Sequence, residues 1–563
     1  MTQQETEHWL ARYAYDYHAW NTTTTPNGRK VFSRPMGLVE LSFDTDGRHY
    51  GGRADLNTLL TLEINHNLSS KEDFRKRIAW AWTNLHLQHP LLMSQASDAT
   101  PTGGRDFVID VPADATEAVE KTSKSIVWVE DFYTSIDATD LYDHAFNCGR
   151  IITPSACLSK LHVLPLVPLP NGNSKLHFLI VMAHQIADGL SAYNFFSHFI
   201  RMLNTPLSTL SAEVCTHIQP TEIRKRLPPA QEDLYPKIKG SIARRRWFWA
   251  IIRVLRHVRK TLPPTFANPL RREKRLEGVM MYPSNYSRIF DYSDPERLPP
   301  MNSAHISASL SPRASARLLR LCRTANISIG AGCFALAGLS MMAVQESLFP
   351  HIPMEKRLPF TASFPLNPRA FFNFTTPAES CMLSFSDGIV MPFLPSALPV
   401  EARLKLIAKH ANRELRMYQK RRRGGENAVD AHDPVRLLAS GYLFQTERVD
   451  SKLPEELRKG VSPQGLLPAN TGNFGATCGV SSVGSTAAYF KRGTYDLSPK
   501  PNSPEREHFA ADFRGMKTGV RARDNEFLIG STTDAEGTVN FGVSYDACGI
   551  SREAAERWAE VVR

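Results

Sequence analysis

"KLHFLIVMAHQIADGLSAYNFFSHFIRMLN", residues 175–204, joins two kinds of periodicity. Its first ten residues are a largely apolar run of strand length, ending at His184. After the polar turn "QIADG", Leu190, Tyr193, Phe196, Ile200 and Leu203 recur at helical spacing. The stretch reads as a buried strand, a tight loop and an amphipathic helix, with His184, Asp188 and Gly189 in the loop. An imidazole there is a general base that works near neutral pH, provided its ring is held. An aspartate four residues on could orient the ring, or bind an arginine elsewhere and fix the loop. The glycine could allow a close turn or a positive φ before the helix. The bland alternative is a structural histidine beside a helix-capping aspartate. A chance His-x-x-x-Asp-Gly is expected in roughly one chain in twenty of this length, so its setting, more than its letters, makes it a candidate.

Outward from this stretch, "RPMGLVELSFDTDGRHY" (34–50) predicts a strand over Leu38–Phe43 closed by a turn at 44–47, and "LNTLLTLEIN" an extended or helical piece. "KEDFRKRIAWAWTNLHLQHPLLMSQ" predicts an amphipathic helix stopping near Pro90, then a strand through Leu91 and Leu92. "SIVWVEDFY" has strand composition. Residues 206–300 are rich in proline and basic side chains and poor in strand signals, as a crossover between lobes would be. The second half again alternates strand and helix patterns. It ends in a hairpin across 534–537 and a last helix with Ser551 as N-cap. Strands alternating with helices in both halves predict α/β layers twice over: a lobe over 1–205, the basic crossover 206–300 and a lobe over 301–563.

Composition narrows the functional classes. The chain has 563 residues, 42% of them hydrophobic and 22% charged, ordinary for a folded protein of two lobes. The N-terminus lacks the pattern of a secretory signal. The apolar "CFALAGLSMMAV" from Cys333 is too short for a span and reads as a buried helix, so no membrane span is expected. Eight scattered cysteines without a C-x-x-C pair suit reduced thiols in the cytoplasm. The net charge of +11 comes with no nucleic-acid-binding motif, and nucleic acid is not expected as a partner. "KRRR" at 420–423 reads as a solvated helix end. Residues 242–260 have no acidic side chain, and two readings stand: a helix packed on the body, or one making peripheral membrane contact. No metal-binding, P-loop or dinucleotide motif occurs, so no metal and no bound cofactor are expected.

"LQHPLL" (87–92), "AHQIADGLSAYN" (183–194) and "GVSYDACGISREAAERWAEVV" (542–562) together resemble the acyltransferase superfamily of chloramphenicol acetyltransferase, peptide-synthetase condensation domains, plant acyl-CoA-dependent acyltransferases and fungal trichothecene O-acetyltransferases. Ala183 stands where condensation domains have a first histidine. The plant Asp-Phe-Gly-Trp-Gly motif is absent, with "TGNFGATCG" (471–479) the nearest look-alike. A free-standing fungal-type enzyme of secondary metabolism is therefore the nearest form. The resemblance implies an α/β fold of two similar lobes, a pseudo-dimer, with a tunnel between them where donor and acceptor meet at His184. It implies an aspartate, Asp188, held by an arginine of the other lobe, for which Arg369 in "SFPLNPR" is the candidate. Ser481 and Ser482 lie in a segment like the family's second-lobe strand and are candidate oxyanion donors. No Gly-x-Ser-x-Gly elbow occurs, so no acyl-enzyme is expected. The implied reaction moves an acyl group, acetyl in the first instance, from acyl-CoA as co-substrate to a hydroxyl of a terpenoid or polyketide. Two alternatives are a separate acyl carrier protein as donor, giving an ester or amide, and a non-catalytic scaffold of the same fold.

Overall fold

In the computed structural model, the strand Ser174–Met182 lies inside a sheet rather than at its edge. It pairs antiparallel with Leu56–His66 on one side and Ser159–Val163 on the other. Ile126–Trp128 extends that sheet beyond Ser159–Val163, and Phe509–Val520 closes the opposite edge. This interior position explains the unbroken apolar run, since both faces of the strand are covered. The structure describes residues 9–14, 16–98, 104–259, 262–293, 302–372, 378–386, 388–419, 434–470, 477–498 and 508–563. The "KRRR" run and residues 471–476 of the plant-motif look-alike lie outside them.

The second half builds its own sheet, in the order Ser303–Ser309, Val539–Asp546, Phe527–Thr533, Cys478–Ser485, Phe360–Ser363 and Ile389–Met391. Val539–Asp546 and Phe527–Thr533 form the expected hairpin, and Ser551 Oγ accepts from the Ala554 N–H at the start of the last helix, Arg552–Val562. Each sheet has its own apolar core, one centred on residues such as Trp82 and Phe178, the other on Phe334 and Trp558. Phe509–Val520 is the exception to this division. It comes from the second half and runs antiparallel along the whole of Leu56–His66 in the first sheet, with one bulge at Arg514. The helix Ile329–Leu348, which contains the "CFALAGLSMMAV" run, is the one described helix long and apolar enough to cross a membrane; 72% of that stretch is buried within the protein.

Three local expectations are corrected. Leu38–His49 is a helix, not a strand and turn. Its start is held by Glu40 accepting from the Gly37 N–H and by Glu232 accepting from the Leu38 N–H. Its acids are buried because each finds a cation outside the helix: Glu40 takes Arg34 at 2.7 Å, Asp44 takes Arg105 at 2.9 Å and Asp46 takes Arg53 at 2.8 Å. Gly47 stands in the last turn of this helix, where a side chain would collide with the Arg150 guanidinium. Leu91 and Leu92 lie in a 3-10 turn, Pro90–Met93, where both are fully buried, which alternation cannot achieve. "SIVWVEDFY" supplies only a three-residue strand before a 3-10 turn at Val129–Asp131.

The described residues of 206–293 hold helices and no strand. Their longest helix, Ile242–His257, buries Trp249 and Ile252 in a cluster with Tyr13, Tyr235 and Tyr442. Trp247, Val254, Leu255 and Val258 remain exposed on its other side.

Candidate active site

After Met182 the chain leaves the sheet through two successive tight turns, in which the Ile186 and Ala187 N–H groups donate to the Ala183 and His184 carbonyls. The helix Gly189–Leu203 follows, with Asp188 as N-cap. Asp188 Oδ1 accepts from the Leu190 and Ser191 N–H groups at 3.1 and 3.0 Å. Its Oδ2 accepts from Arg369 Nη2 at 2.7 Å and from the Met382 N–H at 3.1 Å. One carboxylate thus starts the helix with one oxygen and binds the second half of the chain with the other. Both partners of the ion pair are buried. Asp188 faces these donors and makes no hydrogen bond to the His184 ring, so its part here is to fix the loop. Gly189 is not required by a positive φ: it is the first helical residue, and a Cβ there would meet Val483 at an ordinary 3.7 Å. It lines the cavity instead.

His184 is held from two sides. The Phe43 ring stacks on it with centroids 3.9 Å apart and planes parallel. Its Nδ1 is turned to Cys381 Sγ at 3.9 Å, which leaves Nε2 as the nitrogen for the cavity. Burial pushes the imidazole down to about 4, against smaller opposing effects of its own backbone carbonyl and Asp188, so it is neutral at pH 7. The Cys381 thiol is pushed well up by burial and is protonated, hence no nucleophile.

The cavity beside His184 measures about 700 Å³, the size of a small-molecule site. Phe43, Leu56 and His184 form its first-half wall; Leu366, Met382 and the strand Cys478–Ser485 face them from the second half. Ser481 and Ser482 both line it. The strand has a bulge there: register shifts between Ser482 and Gly484, Gly484 takes φ +85°, and Val483 comes up to Gly189. The fold therefore brings His184, Asp188, Gly189, Arg369, Ser481 and Ser482 to one cavity.

Several lining groups escape a sequence reading. Phe43 belongs to the helix misread as a strand. Behind it, Asp46 binds three cations: Arg53 at 2.8 Å, Arg523 at 3.0 Å and Lys452. Burial alone would raise the Asp46 carboxyl, but these cations outweigh it and hold it well below the usual range. Burial pushes Lys452 down to about 7, with Arg523 and Arg448 adding to the effect against Asp46. The helix Pro434–Lys452, to which the sequence reading assigns no element, lays Ser440, Phe444, Gln445 and Arg448 along the cavity. Its helical spacing of apolar residues is the signal that could have found it.

No family model and no curated protein matches the chain. Among solved structures, TRI3 trichothecene 15-O-acetyltransferase from Fusarium sporotrichioides is similar with a TM-score of 0.67 at 12% identity, over 97% of this chain and 96% of that one. The starter condensation domain of rhizomide synthetase RzmA, in complex with C8-CoA, is similar with a TM-score of 0.50 at 11% identity, over 94% of each chain. At such identities the likeness is one of fold: the chain has the mixed α/β, two-lobed fold of chloramphenicol acetyltransferase-like acyltransferases and condensation domains.

Proposed function

We propose that this chain is an O-acyltransferase that moves an acyl group, acetyl in the first instance, from acyl-CoA to a hydroxyl of a secondary metabolite of the terpenoid or polyketide class. The observation that carries this reading is a neutral His184 offered to a cavity walled by both halves of the chain. His184 Nε2 takes the proton of the acceptor hydroxyl as its oxygen attacks the thioester carbonyl. The C–O bond forms, the C–S bond breaks, and the imidazolium returns its proton to the departing thiolate. No acyl-enzyme enters this sequence. Ser481 and Ser482 are the candidates to hold the oxyanion. The name of the similar TRI3 protein, an acetyltransferase, supports acetyl as the first donor to try. By this reading the protein works in the cytoplasm, and the exposed Trp247 stripe, free of acids, is its contact with anionic lipid. Cosedimentation with anionic vesicles that survives Trp247→Ala unchanged would remove that contact.

The test begins with calorimetric titration by acetyl-CoA and longer acyl-CoAs, followed by an alcohol screen with the donor that binds. His184→Ala is expected to cut kcat/KM by about a hundred- to ten-thousand-fold while the fold is kept. The wild-type rate should stay level from pH 8 to 6 and fall as His184 gains its proton near pH 4, since the imidazolium cannot accept another. Ser481→Ala and Ser482→Ala identify the oxyanion donor, whose loss costs about a hundred- to a thousand-fold in kcat. No binding of any acyl-CoA moves the donor to a carrier protein. Full transfer by His184→Ala overturns the mechanism.

A further inference from the structure

One end of the cavity is rich in cations. Around Asp46 and Glu526 stand four cations: Arg53, Lys452, Arg523 and Arg448. The first three are engaged, Arg53 and Lys452 on Asp46, and Arg523 on Asp46 and Glu526, the latter at 3.3 Å. Arg448 has no such partner: among the described residues no carboxylate lies within ion-pair distance of it, and no hydrogen bond holds it. Its guanidinium instead lies over the Phe385 ring at 4.5 Å and the Phe444 ring at 5.8 Å, and it lines the cavity. Two aromatic faces fix an otherwise flexible cation in place, so its orientation is built before a ligand arrives. Gln445, one turn earlier on the same cavity-lining face, is 4% exposed, and its Oε1 also lacks a partner. Burial and the like charge of Arg523 push Arg448 down to about 10, which still leaves it charged at pH 7. A charged, half-buried guanidinium without a carboxylate partner is an open seat for an anionic ligand.

We infer that Arg448 is the seat of a carboxylate carried by the acyl acceptor, with the Gln445 Nε2 group, once the amide turns, as the donor beside it. Its place argues for the acceptor. Lys452, one turn from Arg448, has its Nζ 5.7 Å from the Phe43 ring, and that ring stacks on His184. Arg448 and His184 line the same cavity, so an anion bound at Arg448 shares the space in which the acyl group would be transferred. A CoA thioester carries its phosphates at the far end of the pantetheine arm, away from the thioester carbon. Assigning the carboxylate to the acceptor rests on the acyl-transfer reading; the binding of a carboxylate at Arg448 does not.

The experiment compares octanoate with octanamide, its neutral isostere, by calorimetric titration of the full chain. Wild type is expected to prefer octanoate by about tenfold, the scale of one charge-assisted hydrogen-bonded contact. The preference should fall to about twofold or less in Arg448→Gln. Should that variant not fold, Arg448→Lys, which keeps the charge but not the planar fork, is expected to retain only part of the preference. Equal binding of the two probes by wild type, or an undiminished preference in the variants, overturns the proposal. So does displacement of octanoate by inorganic phosphate together with loss of CoA affinity in Arg448→Gln, because the anion would then be the donor's. A wild type that prefers octanoate but binds no acyl-CoA keeps this site and sinks the acyl-CoA reading; the converse result sinks this site alone.

Discussion

Asp188 and Asp46 are two buried carboxylates near the same histidine, and both bind cations from the second half of the chain, yet they are held in opposite ways. Asp188 has one cation and three backbone N–H donors, so its surroundings are mostly neutral and its geometry is set by amides. Asp46 has three cations, and its surroundings are set by charge. The first arrangement fixes a shape, the turn that aims His184. The second gathers positive charge at one end of the cavity. The first carboxylate has no lysine among its partners. The second has Lys452, which sits at about 7 and so makes its surroundings depend on pH.

This difference can be broken by substitution. The largest effect is expected at Asp188→Asn, which can still cap the helix but leaves Arg369 buried and unpaired, at a cost of about 3–5 kcal/mol. Thermal midpoints at pH 6, 7.5 and 9 should show the same loss at each pH. Asp188→Asn with Arg369→Ala should lose less than the sum of the single variants, since the charge left alone in one is gone in the other. Additive losses, or a stable Asp188→Asn protein defective only in turnover, would mean that Asp188 does not act through Arg369. A smaller effect is expected at Asp46→Asn, and it should change with pH. In wild type Lys452 titrates in the folded state near 7 against about 10.4 unfolded. Proton uptake by the unfolded chain therefore erodes stability as pH falls from 10 to 7, and below 7 the penalty is constant. Without Asp46 the folded-state value drops further, so the penalty keeps growing below pH 7. The variant should lose some stability at pH 9, where Arg53 is left without its carboxylate and Arg523 keeps only Glu526, and lose more at pH 6, where Lys452 is left without it too; a loss independent of pH would make the two carboxylates alike.

The parts of the site that a sequence reader could find are those written in local periodicity. The run ending at Met182 and the helical spacing from Leu190 place His184 between a strand and a helix, because interior strand and amphipathic helix differ within a dozen residues. The helix Leu38–His49 was hidden because its acids at 40, 44 and 46 look like surface and turn residues until Arg34, Arg105 and Arg53 are seen beside them. With it Phe43 was hidden too, the ring that holds the histidine. Arg369 was legible only through resemblance, since nothing local ties it to a residue 181 positions away. Arg448 left no local trace: what distinguishes it is a missing partner, and a missing partner exists only once the chain is folded.

The strand Phe509–Val520 has a consequence for biosynthesis. From the moment residue 66 is made until residue 520 follows, Leu56–His66 has no neighbour for one whole edge, eleven residues of unpaired backbone in an apolar sequence. As the chain leaves the ribosome, its first sheet must wait for residues 509–520, more than four hundred positions later, before it closes. A nascent chain halted short of that strand is thus an aggregation-prone intermediate and a client for chaperones, not half of a working molecule.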